Sequence, residues 1–264
     1  MRTRTLLGIA ALLATVGGAA LLSMRGQAAD APKLVIPAAA AQSLIKEDIK
    51  ELQKAANLAG PKKGDLRRVR VLAVLIAQNA EGLAAAGQGD KAELAGQHAA
   101  AIEILELLQK DAPAADVKKS AAKFDGAKGD GIKPADLTKY LKDDGMPDWD
   151  TSMQLYKSTR AYGLGIEKLV KDFSEKNPTA KDLPTIATAA YRAASVTAYL
   201  ERLPPNEDSG KKTKAAWQKY VQDARASALE AAAAAEKKDA KATKAALAKM
   251  DVSCVGCHDV FKMK

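Results

Sequence analysis

The chain has 264 residues, 47% of them apolar and only 4% aromatic, enough for a packed core in one large domain or two small ones. Its formal net charge is +9, but the lysines are interspersed with glutamate and aspartate, and no basic cluster is interleaved with aromatics, so a nucleic-acid surface is not expected. Alanine-rich, Lys/Glu-rich stretches favour helix, and no sustained period-two run of Val, Ile and Thr marks a sheet.

Read in chain order, the N-terminus has the pattern of an export signal. Arg2 and Arg4 precede an uncharged apolar run, Leu6 to Leu22, and Gly26-Gln27-Ala28-Ala29 supplies small residues for cleavage. Residues 1–28 are therefore expected to be a signal peptide. An uncleaved anchor is the alternative, at the short limit for a membrane span. No cysteine lies near this segment for a lipid anchor, and no twin-arginine pair is present. The mature chain is expected to be periplasmic or otherwise exported, with no integral span once the signal is removed.

Helical periodicity begins at Ser43 to Ala56, with Leu44, Ile45, Ile49 and Leu52 on one face. It resumes over Asp65 to Ala86, Asp90 to Lys110 and, after Pro113, Ala114 to Phe124. Asp125 to Pro134 (DGAKGDGIKP) is a loop. It superficially suggests an EF-hand, but Ala127 and Gly129 stand where oxygen ligands belong. A short helix is expected over Asp136 to Asp143. The second half repeats the layout: Thr151 to Lys176, Asp182 to Leu203 with Pro184 in its first turn, Lys211 to Lys237, and Ala240 to Lys264. Helices joined by short connections suggest antiparallel four-helix bundles.

The expected fold is therefore all-α, with two tandem antiparallel four-helix bundles. Residues 42–125 form the first, 126–149 a linker, and 150–264 the second. A degenerate duplication relates them: Lys118, Ala122, Lys123 and Asp125 match Lys244, Ala248, Lys249 and Asp251 at a constant offset. The same offset sets Lys128, Gly131 and Ile132 against Cys254, Cys257 and His258, which makes the first half a haemless copy.

The chemistry is concentrated at the C-terminus. Cys254-Val255-Gly256-Cys257-His258 is the C-x-x-C-H signature of c-type haem attachment, in which the two sulfurs add to haem vinyl groups and the histidine ligates the iron. On a helix, residues three and four apart share a face, so both cysteines and the histidine can address one cofactor. Gly256 is expected to leave the backbone bare for the porphyrin. Leu247, Met250, Cys254, Cys257 and Phe261 follow alternating steps of three and four, a core-facing seam. Three other readings explain less. A thioredoxin-type pair needs a βαβ context. A zinc site needs further ligands, and His98 is the only other histidine. A structural disulfide leaves the adjacent histidine unexplained.

The tail MDVSCVGCHDVFKMK, at the end of an all-helical domain, resembles the cytochrome c-prime superfamily, including its relatives with a methionine sixth ligand. The resemblance covers about Thr151 to Lys264. It implies a four-helix bundle with one covalent haem c, Cys254 and Cys257 as thioether anchors and His258 as proximal iron ligand. In the methionine-ligated relatives the distal ligand lies on the first helix of the bundle. Here that helix starts Met153-Gln154-Leu155-Tyr156, with Met153, Tyr156, Arg160 and Gly163 on one face. Met153 is the candidate distal ligand, and Arg160 is a candidate partner for a haem propionate. The family register puts its methionine nearer Arg160 or Ala161, where this chain has none. The resemblance implies one-electron transfer to a redox partner protein, for which the positive surface suits an acidic partner, and a homodimer is compatible with it. The alternative is a five-coordinate haem module binding a diatomic gas, NO or CO. No acid–base pair or nucleophile constellation is visible, so an enzyme is not expected.

Overall fold

The computed structural model describes residues 33–261. The expected export signal and residues 262–264 lie outside them. The described residues contain nine α-helices and one two-stranded hairpin and belong to a single compact unit, so the all-α expectation is met. Among them, no helix is long and apolar enough to cross a membrane.

The first four helices are α1 (Ala38–Ala56), α2 (Lys63–Ala85), α3 (Lys91–Gln109) and α4 (Ala114–Ala121). Their apolar faces explain their order. α1 turns Leu44, Ile45 and Leu52 inward, while α2 is buried over most of its circumference from Val69 to Leu83. Helix α1 packs on α2, α2 on α3, α3 on α4, and α4 returns to α1. Asp90 caps α3 by accepting from the Glu93 amide at 2.8 Å.

Helix α4 does not extend as α9 does. A 3-10 turn, Ala122–Phe124, ends it, and the chain then crosses α3 as a strap. The Gly129 amide donates to the Ala92 carbonyl at 2.9 Å. A Cβ on Gly96 would stand 2.4 Å from the backbone of Ala127 and Lys128, so this approach requires glycine. The positions set against the cysteines and histidine of the second half, Lys128, Gly131 and Ile132, thus lie in coil. After the strap come a 3-10 helix, Leu137–Leu141, and the hairpin of β1 (Lys142–Asp143) and β2 (Met146–Pro147).

The long helix expected over Thr151 to Lys176 is not formed. In its place stand α5 (Trp149–Ser152), 3-10 turns at Gln154–Tyr156 and Thr159–Ala161, and α6 (Ile166–Glu175). Two glycines within three residues weaken a helix by about 1 kcal/mol each, and both are used for other purposes here. Gly165 caps α6 at φ 73°, next to Tyr162 at φ 63°. A Cβ on Gly163 would meet the Lys157 carbonyl oxygen at 2.0 Å. Met153, Tyr156, Arg160 and Gly163 therefore do not share one helical face.

The remaining helices are α7 (Leu183–Leu200), α8 (Lys214–Glu236) and α9 (Ala240–Phe261). Helix α7 packs on α8, α8 on α9, α9 on α6, and α6 on α7. Fully buried Ala228, Ala231 and Ala232 let α8 sit close to its neighbours. Lys238 at φ 59° reverses the chain, and Asp239 caps α9 by accepting from the Ala242 amide at 2.9 Å. The two groups of helices meet where α7 touches α1 and α2. At that seam the Arg192 Nε donates to the buried Asp48 carboxylate at 2.8 Å, and Gln78 Nε2 donates to the Ser195 carbonyl at 3.2 Å.

Candidate functional site: the C-terminal turns of helix α9

Helix α9 carries Cys254, Cys257 and His258 in its last two turns. At 3.6 residues per turn, these side chains fall within an arc of about 100°. The seam predicted for this helix is present: Leu247 and Met250 are fully buried and Phe261 nearly so, while both cysteines are half-buried against the same core. The thiols are not joined to each other. Burial pushes the Cys254 thiol up to about 12, with Asp251 adding to the effect, and pushes Cys257 up to about 11. His258 is half-buried.

Gly256 has a different role from the expected one. It lies about 200° around the helix from Cys254 and faces α8, where a Cβ would stand 2.8 Å from the Tyr220 ring. The bare backbone admits Tyr220 and is turned away from the cysteines. This was not legible from the motif, because the contact comes from a helix 36 residues earlier.

The cysteine face looks toward α6 and the segment before it. Lys171 and Glu167 of α6, which are paired at 2.8 Å, lie within electrostatic reach of Cys254. So does Tyr156, whose phenol is raised well above its usual value by burial and then by the nearby Cys254. The Tyr156 hydroxyl lies 3.4 Å from the Ala193 carbonyl of α7. One further contact reaches this segment. The Trp149 ring stands 6.0 Å from that of Phe261, edge to face. Residues 149–156 thus approach α9 through the Trp149–Phe261 ring contact, with Tyr156 within electrostatic reach of Cys254.

Met153 lies between those two points in the chain. It closes α5, its amide donating to the Trp149 carbonyl at 2.9 Å, and its half-buried side chain packs against the core. Arg160 is exposed on the second 3-10 turn, and no ion pair among the described residues involves it.

The donor set fits a covalent haem. Two free thiols and an imidazole share one arc on a helix that packs against α6, and both thiols are half-buried against the apolar core. Among the described residues, no group of three or more His, Cys, Asp or Glu side chains is gathered as if around a metal ion.

Two other features were not anticipated. His98 is buried and pairs through Nε2 with Glu81 Oε1 at 2.8 Å. The same oxygen accepts from the Ala135 amide at 3.0 Å, so the pair fastens the strap to α2 and α3. Clefts of about 220 and 230 Å³ adjoin at Ala187 and Glu236. They lie near the start of α9, about 24 Å along it from Cys254. No family model, curated protein or solved structure matches the chain.

Proposed function

We propose that the chain is an exported c-type cytochrome that binds one haem covalently through Cys254 and Cys257 and transfers single electrons to a redox partner protein. The observation that carries this reading is the common face of Cys254, Cys257 and His258, set in line with the buried Leu247, Met250 and Phe261. Haem held there would supply the one-electron couple. The chain's own residues do the rest. Cys254 and Cys257 would anchor the group, His258 would ligate its iron from α9, and α6 with the segment around Tyr156 would limit water at the thiols. Met153, which lies in the chain between Trp149 and Tyr156, is the candidate second residue that would hold the iron. A methionine ligand would leave the iron coordinatively saturated and raise its potential, which suits a carrier.

In this reading the helix neighbours form two tandem antiparallel four-helix bundles, α1–α4 and α6–α9. The first carries no haem: its strap runs as coil where α9 continues as helix. The leader directs the chain to the periplasm. Removing it takes away Arg2, Arg4 and Arg25 and leaves a surface still positive enough to favour an acidic partner. The test is an absorption spectrum of the ferric and ferrous protein, followed by carbon monoxide. A low-spin spectrum indifferent to carbon monoxide supports the carrier. A high-spin ferrous form that binds it removes Met153 from the iron and favours the gas-binding module.

A further inference from the structure

Three aromatic rings meet where α9 ends. Trp149 and Trp217 stack with centroids 4.6 Å apart at 20°. Phe261 meets both edge-on, at 6.0 Å and 5.1 Å. Each indole is also oriented by a hydrogen bond. Trp217 donates to the Leu200 carbonyl at 2.8 Å, and Trp149 donates to the Leu203 carbonyl at 3.0 Å. The stack is thus tied to the end of α7 and the turn after it.

The position of these rings in the chain gives them a use that the proposed function does not assign. Phe261 is one turn beyond His258. Trp149 is one turn before Met153 and is joined to it by the backbone bond from the Met153 amide. We infer that the Trp149–Trp217–Phe261 stack is a clamp that sets the spacing between the turn carrying His258 and the turn carrying Met153, with Trp149 as its positioning residue. The inference rests on the haem reading with Met153 as sixth ligand. A neutral thioether is a weaker ligand than an imidazole, so a small drift of α5 away from α9 would release it. Met153 sits between two short turns with no long helix around it to hold its position. Its distance from α9 therefore depends on the side chains that bridge the two segments, and Trp149 is the bridge on the Phe261 side.

The test uses the full-length holoprotein. Trp149→Ala is expected to keep its covalent haem and helical circular dichroism. Its ferric spectrum should shift toward high spin, and its ferrous affinity for carbon monoxide should rise at least about tenfold, because apparent affinity follows the population of the open iron. Amide exchange at residues 258–261 should accelerate, and Trp149→Phe should restore the low-spin spectrum. If Trp149→Ala does not fold, Trp149→Leu, which fills volume without stacking, carries the same expectation. A variant that loses thermal stability but keeps the wild-type spin state and carbon monoxide affinity overturns the clamp and leaves the haem reading intact. A wild type that is already high-spin overturns Met153 ligation and the clamp with it. A wild type without covalent haem overturns the haem reading as well.

Discussion

At the scale of single residues, the motif and its seam were legible in the sequence because they are local. A step of three or four residues on α9 decides which side chains share the core face, and Leu247, Met250 and Phe261 are buried as that step requires. Gly256 and His98 were not legible in this way. The partner of Gly256 is Tyr220 on α8, and that of His98 is Glu81 on α2; no spacing within one helix encodes either. On the proposed function, Met153→Ala should leave covalent haem in place while making the ferrous iron accessible to carbon monoxide, read by difference spectroscopy. A pH effect belongs to this scale too. Asp150 is held below its usual value by its hydrogen bond from Lys157 and by Arg67. A depressed carboxylate contributes stability that is present above its unfolded value of 3.8 and lost as the pH falls through the folded one. Thermal melts of Asp150→Asn should therefore lose less stability than wild type on acidification below about pH 4. An equal loss would show that Asp150 is not part of the acid response.

At the scale of elements, most helices were legible because apolar periodicity and punctuation by Pro, Gly and Asp agree. The stretch from Thr151 to Lys176 was misread because its apolar pattern continues through Gly163 and Gly165 while its backbone does not. Side-chain spacing carries no sign that Gly163 lies against the Lys157 carbonyl or that Gly165 adopts a left-handed φ. This gives a direct prediction. Gly163→Ala forces the turn apart and should cost about 2 kcal/mol, or roughly 4–8 °C in melting temperature for a chain of this size. Gly96→Ala should be comparably destabilising, because the atoms it meets are the backbone of the strap. Hydrogen exchange should then increase at residues 127–135. If exchange there is unchanged, the strap is not held by its approach to α3.

At the scale of the whole molecule, the seam between the two groups of helices contains a buried ion pair, Asp48 with Arg192. Burial raises the Asp48 carboxyl even against the attraction of Arg192, so the pair contributes orientation more than net stability. Removing one partner strands a buried charge, which typically costs about 3–5 kcal/mol. Arg192→Met should therefore melt well below wild type, and Asp48→Leu combined with Arg192→Met should recover much of the loss in a double-mutant cycle. Additive losses would contradict the coupling. Sequence pattern could not pair these residues, because 144 positions separate them and each looks like an ordinary charged residue on an amphipathic helix. The central claim, one haem held covalently on α9, is tested most directly by acid–acetone extraction of the exported protein followed by mass analysis of its C-terminal peptide. The account predicts that the haem stays with the protein and that the peptide spanning Cys254 to His258 carries its mass. Haem released into the solvent, or both cysteines recovered as free thiols, would contradict it.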